Sequence, residues 1–130
     1  MKRKKMIIVL AALFVFSAFS VSVYATNYSD TIKKNTSEKV GTTQVFTFYD
    51  FGTWLPGDDA YIQAYAQGAN SRSIAYIDYS YNGCTYNYFV GPSPAGQPAN
   101  AAFCASGYDY LTGDAYASNE SSTSTLTIID

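Results

Sequence analysis

The stretch that decides the fold is Ser71 to Ala105, which runs SRSIAYIDYSYNGCTYNYFVGPSPAGQPANAAFCA. Its first part, Arg72 to Tyr81, alternates with the two-residue period of a half-buried strand. Asn82-Gly83 then predicts a tight hairpin, because both residues tolerate positive φ, and Cys84 to Val90 follows as the partner strand. Residues 91–98 hold three prolines, which cannot continue a hydrogen-bonded ladder, so we expect a loop there and a return strand from Ala101 to Ala105.

Further short strands are expected on both sides of this stretch. β-Branched and aromatic residues predict a strand within Val40–Phe51, and strict alternation favours a strand over a short helix at residues 60–66. Towards the carboxyl end we expect a hairpin whose turn is Thr112-Gly113-Asp114, between Tyr108–Leu111 and Ala115–Ala117, and a last strand at Thr123–Ile129. Seven or eight short strands with frequent turns indicate an all-β fold, a small antiparallel β-sandwich or barrel.

The amino terminus has the three parts of a secretory signal peptide. Four basic residues (Lys2, Arg3, Lys4, Lys5) precede an apolar run, and Val23-Tyr24-Ala25 resembles a cleavage site. An uncleaved membrane anchor is the alternative, but the apolar run is shorter than the roughly 20 residues that a spanning helix needs. We therefore predict that residues 1–25 are removed, that the mature form has no membrane span, and that the protein is secreted, extracellular and of bacterial origin.

The mature chain is expected to have two parts and an acidic charge. Residues 26–39 are polar without an apolar period, which predicts a spacer or a removable pro-segment, and residues 40–130 form a single β-domain. Removal of residues 1–25 leaves four cations and ten acidic residues, a formal charge of −6. Nucleic acids and anionic membranes are excluded as partners, because both attract basic proteins.

The sequence argues against catalysis. It contains no histidine, so it has no Ser-His-Asp or Cys-His arrangement and no ordinary general base near neutral pH. Its aspartates are mostly in or beside expected turns, where aspartate serves local hydrogen bonding. They lack the spacing of a known calcium loop, and no phosphate-binding or dinucleotide motif is present. We expect a protein that is not an enzyme and has no metal site and no cofactor.

Two cysteines in an exported chain predict one disulfide, Cys84–Cys104. This bond would close a loop of about 20 residues and stabilise the fold by about 3 kcal/mol in the chain-entropy model. The alternative, two thiols that bind a metal, would have no histidine to complete the ligand set.

Aromatic residues are the unusual feature of the composition. The chain beyond residue 25 has 12 Tyr, 5 Phe and one Trp, more rings than a small sandwich can bury. Tyrosine combines an apolar ring with a polar tip and is common at recognition surfaces, although in strands it is also an ordinary structural residue. The candidate ligand-binding residues are Trp54, Tyr61, Tyr65, Tyr76, Tyr108 and Tyr110. The expected partner is a glycan, another protein or a component of the cell envelope.

Gly52-Thr53-Trp54, followed by Gly57, resembles the start of the lactococcin-972 family of secreted bacteriocins. Two later segments resemble the hairpin of that family, namely Ala60-Tyr61…Tyr65 and Arg72-Ser-Ile-Ala75. Two more resemble its later strands, namely Phe103–Ala105 and Ala115-Tyr116. The resemblance implies a secreted antimicrobial that inhibits related bacteria by interfering with cell-wall synthesis, and it assigns that role to no individual residue.

Three functions are therefore expected of such a chain. The first is a non-enzymatic, bacteriocin-like protein that acts at the bacterial envelope. The alternatives are a carbohydrate- or cell-wall-binding module, and a structural component of the cell surface.

Overall fold

The computed structural model describes residues 26–51, 59–69, 71–81, 83–105 and 111–130. These residues form two β-sheets and no helix, which confirms the all-β prediction and favours a sandwich over a closed barrel. Nine strands are present in these ranges: β1 Thr26–Lys33, β2 Glu38–Gly41, β3 Val45–Phe51, β4 Ala60–Ala66, β5 Ile74–Tyr81, β6 Cys84–Val90, β7 Ala99–Ala105, β8 Thr112–Ser118 and β9 Ser122–Ile129.

The two sheets divide the strands unequally. Sheet A has five strands in the order β1-β9-β8-β5-β6, and sheet B has four in the order β2-β3-β4-β7. All neighbours are antiparallel except β1 and β9, which run parallel. Tyr81 lies opposite Cys84, which confirms the predicted β5–β6 hairpin, although Asn82 in its turn lies outside the described residues.

Alternation along the strands builds the core between the sheets. β4 is confirmed as a strand, with Ile62 buried and the neighbouring Tyr61 only half-buried. Half of the buried hydrophobic residues are alanines: Ala60, Ala64, Ala66, Ala75, Ala99, Ala101, Ala105, Ala115 and Ala117. Large side chains fill the remaining space, among them Tyr49, Ile62, Ile77, Leu111 and Leu126, each fully buried. The core between the sheets thus combines the small methyl groups of alanine with larger apolar side chains.

A buried polar contact joins the two sheets. Thr47 of β3 and Ser124 of β9 are both fully buried, and their hydroxyl oxygens lie 2.8 Å apart. Ser124 donates its own proton to the Val40 carbonyl oxygen at 2.8 Å, so Thr47 donates to Ser124. Because each hydroxyl has a partner, the pair lies in the interior without the penalty of an unsatisfied polar group.

Residues 26–39 differ from the predicted polar spacer, because they contain β1 and the start of β2. β1 pairs along its whole length with β9, from Thr26 opposite Ser122 to Lys33 opposite Ile129. Only Tyr28 and Ile32 pack against the core, and the rest of this edge strand faces solvent. β1 is held mainly by backbone hydrogen bonds to β9, and such a strand does not need alternating apolar side chains. The sequence pattern therefore did not predict β1.

The predicted turn at Thr112-Gly113-Asp114 is also wrong, since all three residues lie within β8. Gly113 has a φ of +146° and lies opposite Tyr79 of β5. A Cβ atom at this position would overlap the Asp78 carbonyl oxygen and lie 2.7 Å from the Tyr79 Cα. The glycine therefore serves the close approach of two strands and does not form a turn.

The loop predicted at residues 91–98 is confirmed and is attached to the start of β5. Ser93 donates its backbone N–H to the Ser73 carbonyl oxygen at 2.9 Å, and the Ser73 N–H donates to Ser93 Oγ at 3.1 Å. The predicted signal peptide, residues 1–25, lies outside the described residues. Across the part of the chain that the structure describes, no helix has the length and hydrophobicity needed to cross a membrane.

Candidate ligand-binding surface

Four aromatic side chains lie together on the outer face of sheet B, and we call them the aromatic platform: Phe46, Phe48, Tyr61 and Tyr65. The alternation of β3 buries Val45, Thr47 and Tyr49 and leaves Phe46 and Phe48 half-buried on the other side. β4 adds Tyr61 and Tyr65 in the same way, because it buries the alternate residues Ile62 and Ala64. All four rings are partly open to solvent.

The rings of the platform are paired across β3 and β4. Phe46 lies directly opposite Tyr65, and their rings stack with centroids 5.1 Å apart and planes 20° from parallel. Phe48 and Tyr61 are diagonal neighbours with centroids 6.0 Å apart and planes tilted by 56°. Such cross-strand pairs hold the rings in fixed orientations, so the platform is organised before any ligand arrives.

Polar groups lie between and beside the rings. The Gln63 amide donates to Asn100 Oδ1 at 2.8 Å, and the Tyr65 hydroxyl donates to Gln67 Oε1 at 2.9 Å. The Lys39 ammonium lies 4.4 Å from the centre of the Phe46 ring, a cation–π contact. Amides and hydroxyls can both donate and accept, so this surface offers hydrogen bonds of both kinds beside apolar ring faces.

An open groove of about 660 Å³ follows this face of sheet B. Its walls are formed by Ser37, Glu38, Lys39, Phe46, Phe48, Asp50, Tyr61 and Gln63. Asp50 is itself buried and accepts a hydrogen bond from the Ser37 hydroxyl at 2.7 Å. Among the described residues, one cation and two acidic residues therefore line the groove, and its other lining residues are aromatic or neutral.

The Tyr61 hydroxyl stays protonated at neutral pH. Burial raises the pKa of the Tyr61 hydroxyl above its ordinary value, and the neighbouring Cys104 thiol raises it further. Tyr61 can therefore donate a hydrogen bond throughout the physiological pH range.

The structure brings together only some of the predicted site residues. Tyr61 and Tyr65 lie in the platform, whereas Tyr76 lies on the outer face of sheet A, on the opposite side of the sandwich. Trp54, Tyr108 and Tyr110 fall outside the described residues. Phe46 and Phe48 were missed, and the available signal was their alternation with Thr47 and Tyr49 within one strand.

Tyr76 has different surroundings from the platform. It lies directly opposite Tyr116 of β8, and its ring is 6.4 Å from that of Phe89 in β6. Burial raises the pKa of the Tyr76 hydroxyl most, and its hydrogen bond to Asp78 and the charges of Asp78 and Asp114 raise it further. These two aspartates face each other across β5 and β8, so this face of sheet A is acidic.

The predicted Cys84–Cys104 disulfide is not present, and the structure has both residues as free, exposed cysteines. β7 directs Phe103 inward, where its ring stacks on Tyr79 with centroids 4.2 Å apart. The alternation therefore places Cys104 on the outer face of sheet B, opposite Tyr61 of β4. Cys84 begins β6 in the other sheet, so the two residues belong to different layers of the sandwich.

Because the thiols are free and exposed, replacement of both cysteines by serine is expected to leave the stability almost unchanged. Exposed substitutions usually change the free energy of unfolding by no more than about 0.5 kcal/mol, whereas loss of a disulfide would cost about 3 kcal/mol. Thermal melting with and without reductant measures the difference. Both thiols should also react with an alkylating agent without prior reduction. A large drop in melting temperature on reduction would contradict the prediction that the cysteines are free.

No group of three or more histidine, cysteine, aspartate or glutamate residues is arranged for metal binding within the ranges that the structure describes.

Comparison with protein-family models, with curated proteins and with solved structures found no match to this chain. The resemblance to the lactococcin-972 family therefore stays a prediction, and the function has to be argued from the surface itself.

Proposed function

We propose that this chain is a secreted, non-enzymatic binding protein that holds a neutral polysaccharide of the bacterial cell envelope on the aromatic platform of sheet B. The observation that carries the proposal is the combination of two fixed ring pairs with interleaved amides on one open face. Binding sites commonly combine apolar and aromatic walls with a few placed polar groups. A sugar ring presents the complement, with apolar C–H faces and hydroxyls at its edge.

The shape and charge of the groove favour a neutral polymer over other ligands. The groove is open and crosses three neighbouring strands, β2 to β4, so an extended chain can lie along it and leave at either end. Among the described lining residues, Lys39 is the one cation beside two acidic residues, so these residues offer little attraction to a polyanion. The formal charge of −6 beyond residue 25 works in the same direction.

The first test is retention of the exported protein on insoluble peptidoglycan, chitin and cellulose, followed by affinity measurement with soluble fragments of the polymer that retains it. Phe48→Ala and Tyr61→Ala are each expected to weaken binding about tenfold, because a lost ring contact costs about 1 kcal/mol or slightly more. Tyr116→Ala is the matched control, since this ring is 36% exposed and lies on sheet A. Its affinity should equal that of the unaltered protein.

Two results would contradict the proposal. One is that the unaltered protein binds none of the three polymers, and the other is that both platform variants bind as well as the Tyr116→Ala control. Circular dichroism of each variant ensures that the loss of binding reflects a lost contact and not a lost fold.

A bacteriocin-like activity, implied by the resemblance in sequence, would begin with the same binding step. Growth inhibition of related bacteria by the purified protein separates the two functions. Retention on the wall polymer without inhibition supports a binding module, and inhibition that disappears in Phe48→Ala supports an antimicrobial that acts through the platform.

A further inference from the structure

β6 is an edge strand, and most of its residues are exposed. Six of its seven residues are exposed, and Val90 at its end is half-buried. β6 pairs with β5 on one side only, so alternate backbone N–H and C=O groups along its other side point away from the sheet. An edge of this kind is a template for another strand.

The usual protection against such pairing is missing from β6. Edge strands are commonly blocked by charged residues or proline, and Cys84–Val90 contains neither. The opposite edge of sheet A differs, because β1 contains Asp30 and Lys33. One edge of sheet B is likewise charged, with Glu38 and Lys39 in β2.

Large apolar side chains are concentrated on this unprotected strand. Tyr86, Tyr88 and Phe89 are 45%, 51% and 55% exposed and are three of the five exposed large hydrophobic residues in the described ranges. Tyr86 and Tyr88 lie opposite Tyr79 and Ile77, on the face of sheet A that is directed at sheet B. They stay exposed at the edge of sheet A, where β6 pairs with β5 on one side only and β7 is the strand of sheet B that contacts it.

We propose that β6 pairs in an antiparallel manner with β6 of a second copy of this chain, around a twofold axis at Asn87. This register places Tyr86 opposite Tyr88 of the second copy and Thr85 opposite Phe89 of the second copy. Aromatic pairs directly opposite one another stabilise antiparallel strands. The dimer joins the two five-stranded sheets into one continuous sheet of ten strands, with both copies of sheet B on the same side.

Charge explains why a second copy fits at β6. Two chains with a formal charge of −6 beyond residue 25 repel each other over most of their surfaces. The acidic residue of β5 that pairs with β6 is Asp78, opposite Asn87. In the dimer the two Asp78 residues are three strand spacings apart, about 14 Å. This distance exceeds the screening length of about 8 Å at physiological ionic strength, so the neutral strand permits contact without strong repulsion.

The first test is the molar mass of the exported protein, measured by light scattering across a concentration series. A rise towards twice the monomer mass is expected. Tyr88→Lys and Phe89→Lys should each weaken association at least tenfold, because they place a charge at the pairing surface. Tyr116→Lys is the control, since its ring is exposed but lies two strands away on β8, and it should associate like the unaltered protein.

The second test fixes the register. Paired residues in antiparallel strands have Cα atoms about 4.5–5.5 Å apart, within the range that a disulfide accepts. With both native cysteines replaced by serine, Asn87→Cys should therefore form a covalent dimer under a mild oxidant at least tenfold faster than Asn27→Cys, an exposed position on the opposite edge strand. Equal cross-linking rates, a monomer at all concentrations, or dimers that tolerate both lysine variants would each overturn the proposal.

Discussion

Replacement of Gly113 by alanine is expected to lower the free energy of unfolding by about 4 kcal/mol. The added Cβ meets the backbone of β5 at Asp78 and Tyr79, and a backbone cannot move aside as a flexible side chain can. The cost combines overpacking, about 1–3 kcal/mol, with about 1–2 kcal/mol for a positive φ in a residue with a side chain. Chemical denaturation followed by circular dichroism measures the change.

Gly83→Ala is the matched control for this prediction. Gly83 also has a positive φ, +75°, but a Cβ there would meet nothing within 4 Å. It should cost only the conformational part, about 1–2 kcal/mol. Equal losses in the two variants would show that contact between β8 and β5 is not the reason for the glycine at position 113.

Replacement of Leu126 by alanine should destabilise the protein by about 3 kcal/mol. Leu126 is fully buried on β9, between the sheets, and truncation of a buried leucine typically costs about 2–5 kcal/mol, including the cavity that remains. For a domain of this size, the melting temperature should fall by at least about 10 °C. Differential scanning calorimetry provides the measurement.

Ile129→Ala tests whether burial is the cause. Ile129 lies on the same strand but is 44% exposed, so its truncation should cost less than about 1 kcal/mol. A loss as large as that of Leu126→Ala would mean that β9 is stabilised by its position in the ladder more than by its side chains in the core.

The strands with a clear two-residue period were predictable from the sequence, whereas the strands held by distant contacts were not. In β4, β5 and β6 the side chains alternate with a two-residue period, and Asn82-Gly83 marks the turn between β5 and β6. Each of these signals lies within a few residues of the chain. β1 has no such signal, because it depends on the backbone of β9, about 96 residues away along the chain. Position 113 was misinterpreted for a related reason, since glycine serves turns and close strand contacts alike.

The candidate site was predictable to the same limited extent. Tyr61 and Tyr65 were identified by their alternation, but no face of β3 could be assigned because aromatic residues occur on both. The orientation of this strand depends on Thr47, which is buried because Ser124 lies 77 positions further along and bonds to it. Because the Thr47 hydroxyl is hydrogen-bonded to Ser124 inside the core, Phe46 and Phe48 lie on the outer face of the sheet. The contact between Thr47 and Ser124 is seen only in the folded structure.

The alanine-lined interior determines where this molecule can meet other molecules. Within the described residues, alanine side chains and larger apolar ones from facing strands fill the space between the layers. Such an interior differs from that of wide β-barrels, which enclose ligand cavities or channels. Selection for new specificity can act on the exposed positions, where residues change without disturbing the packed core.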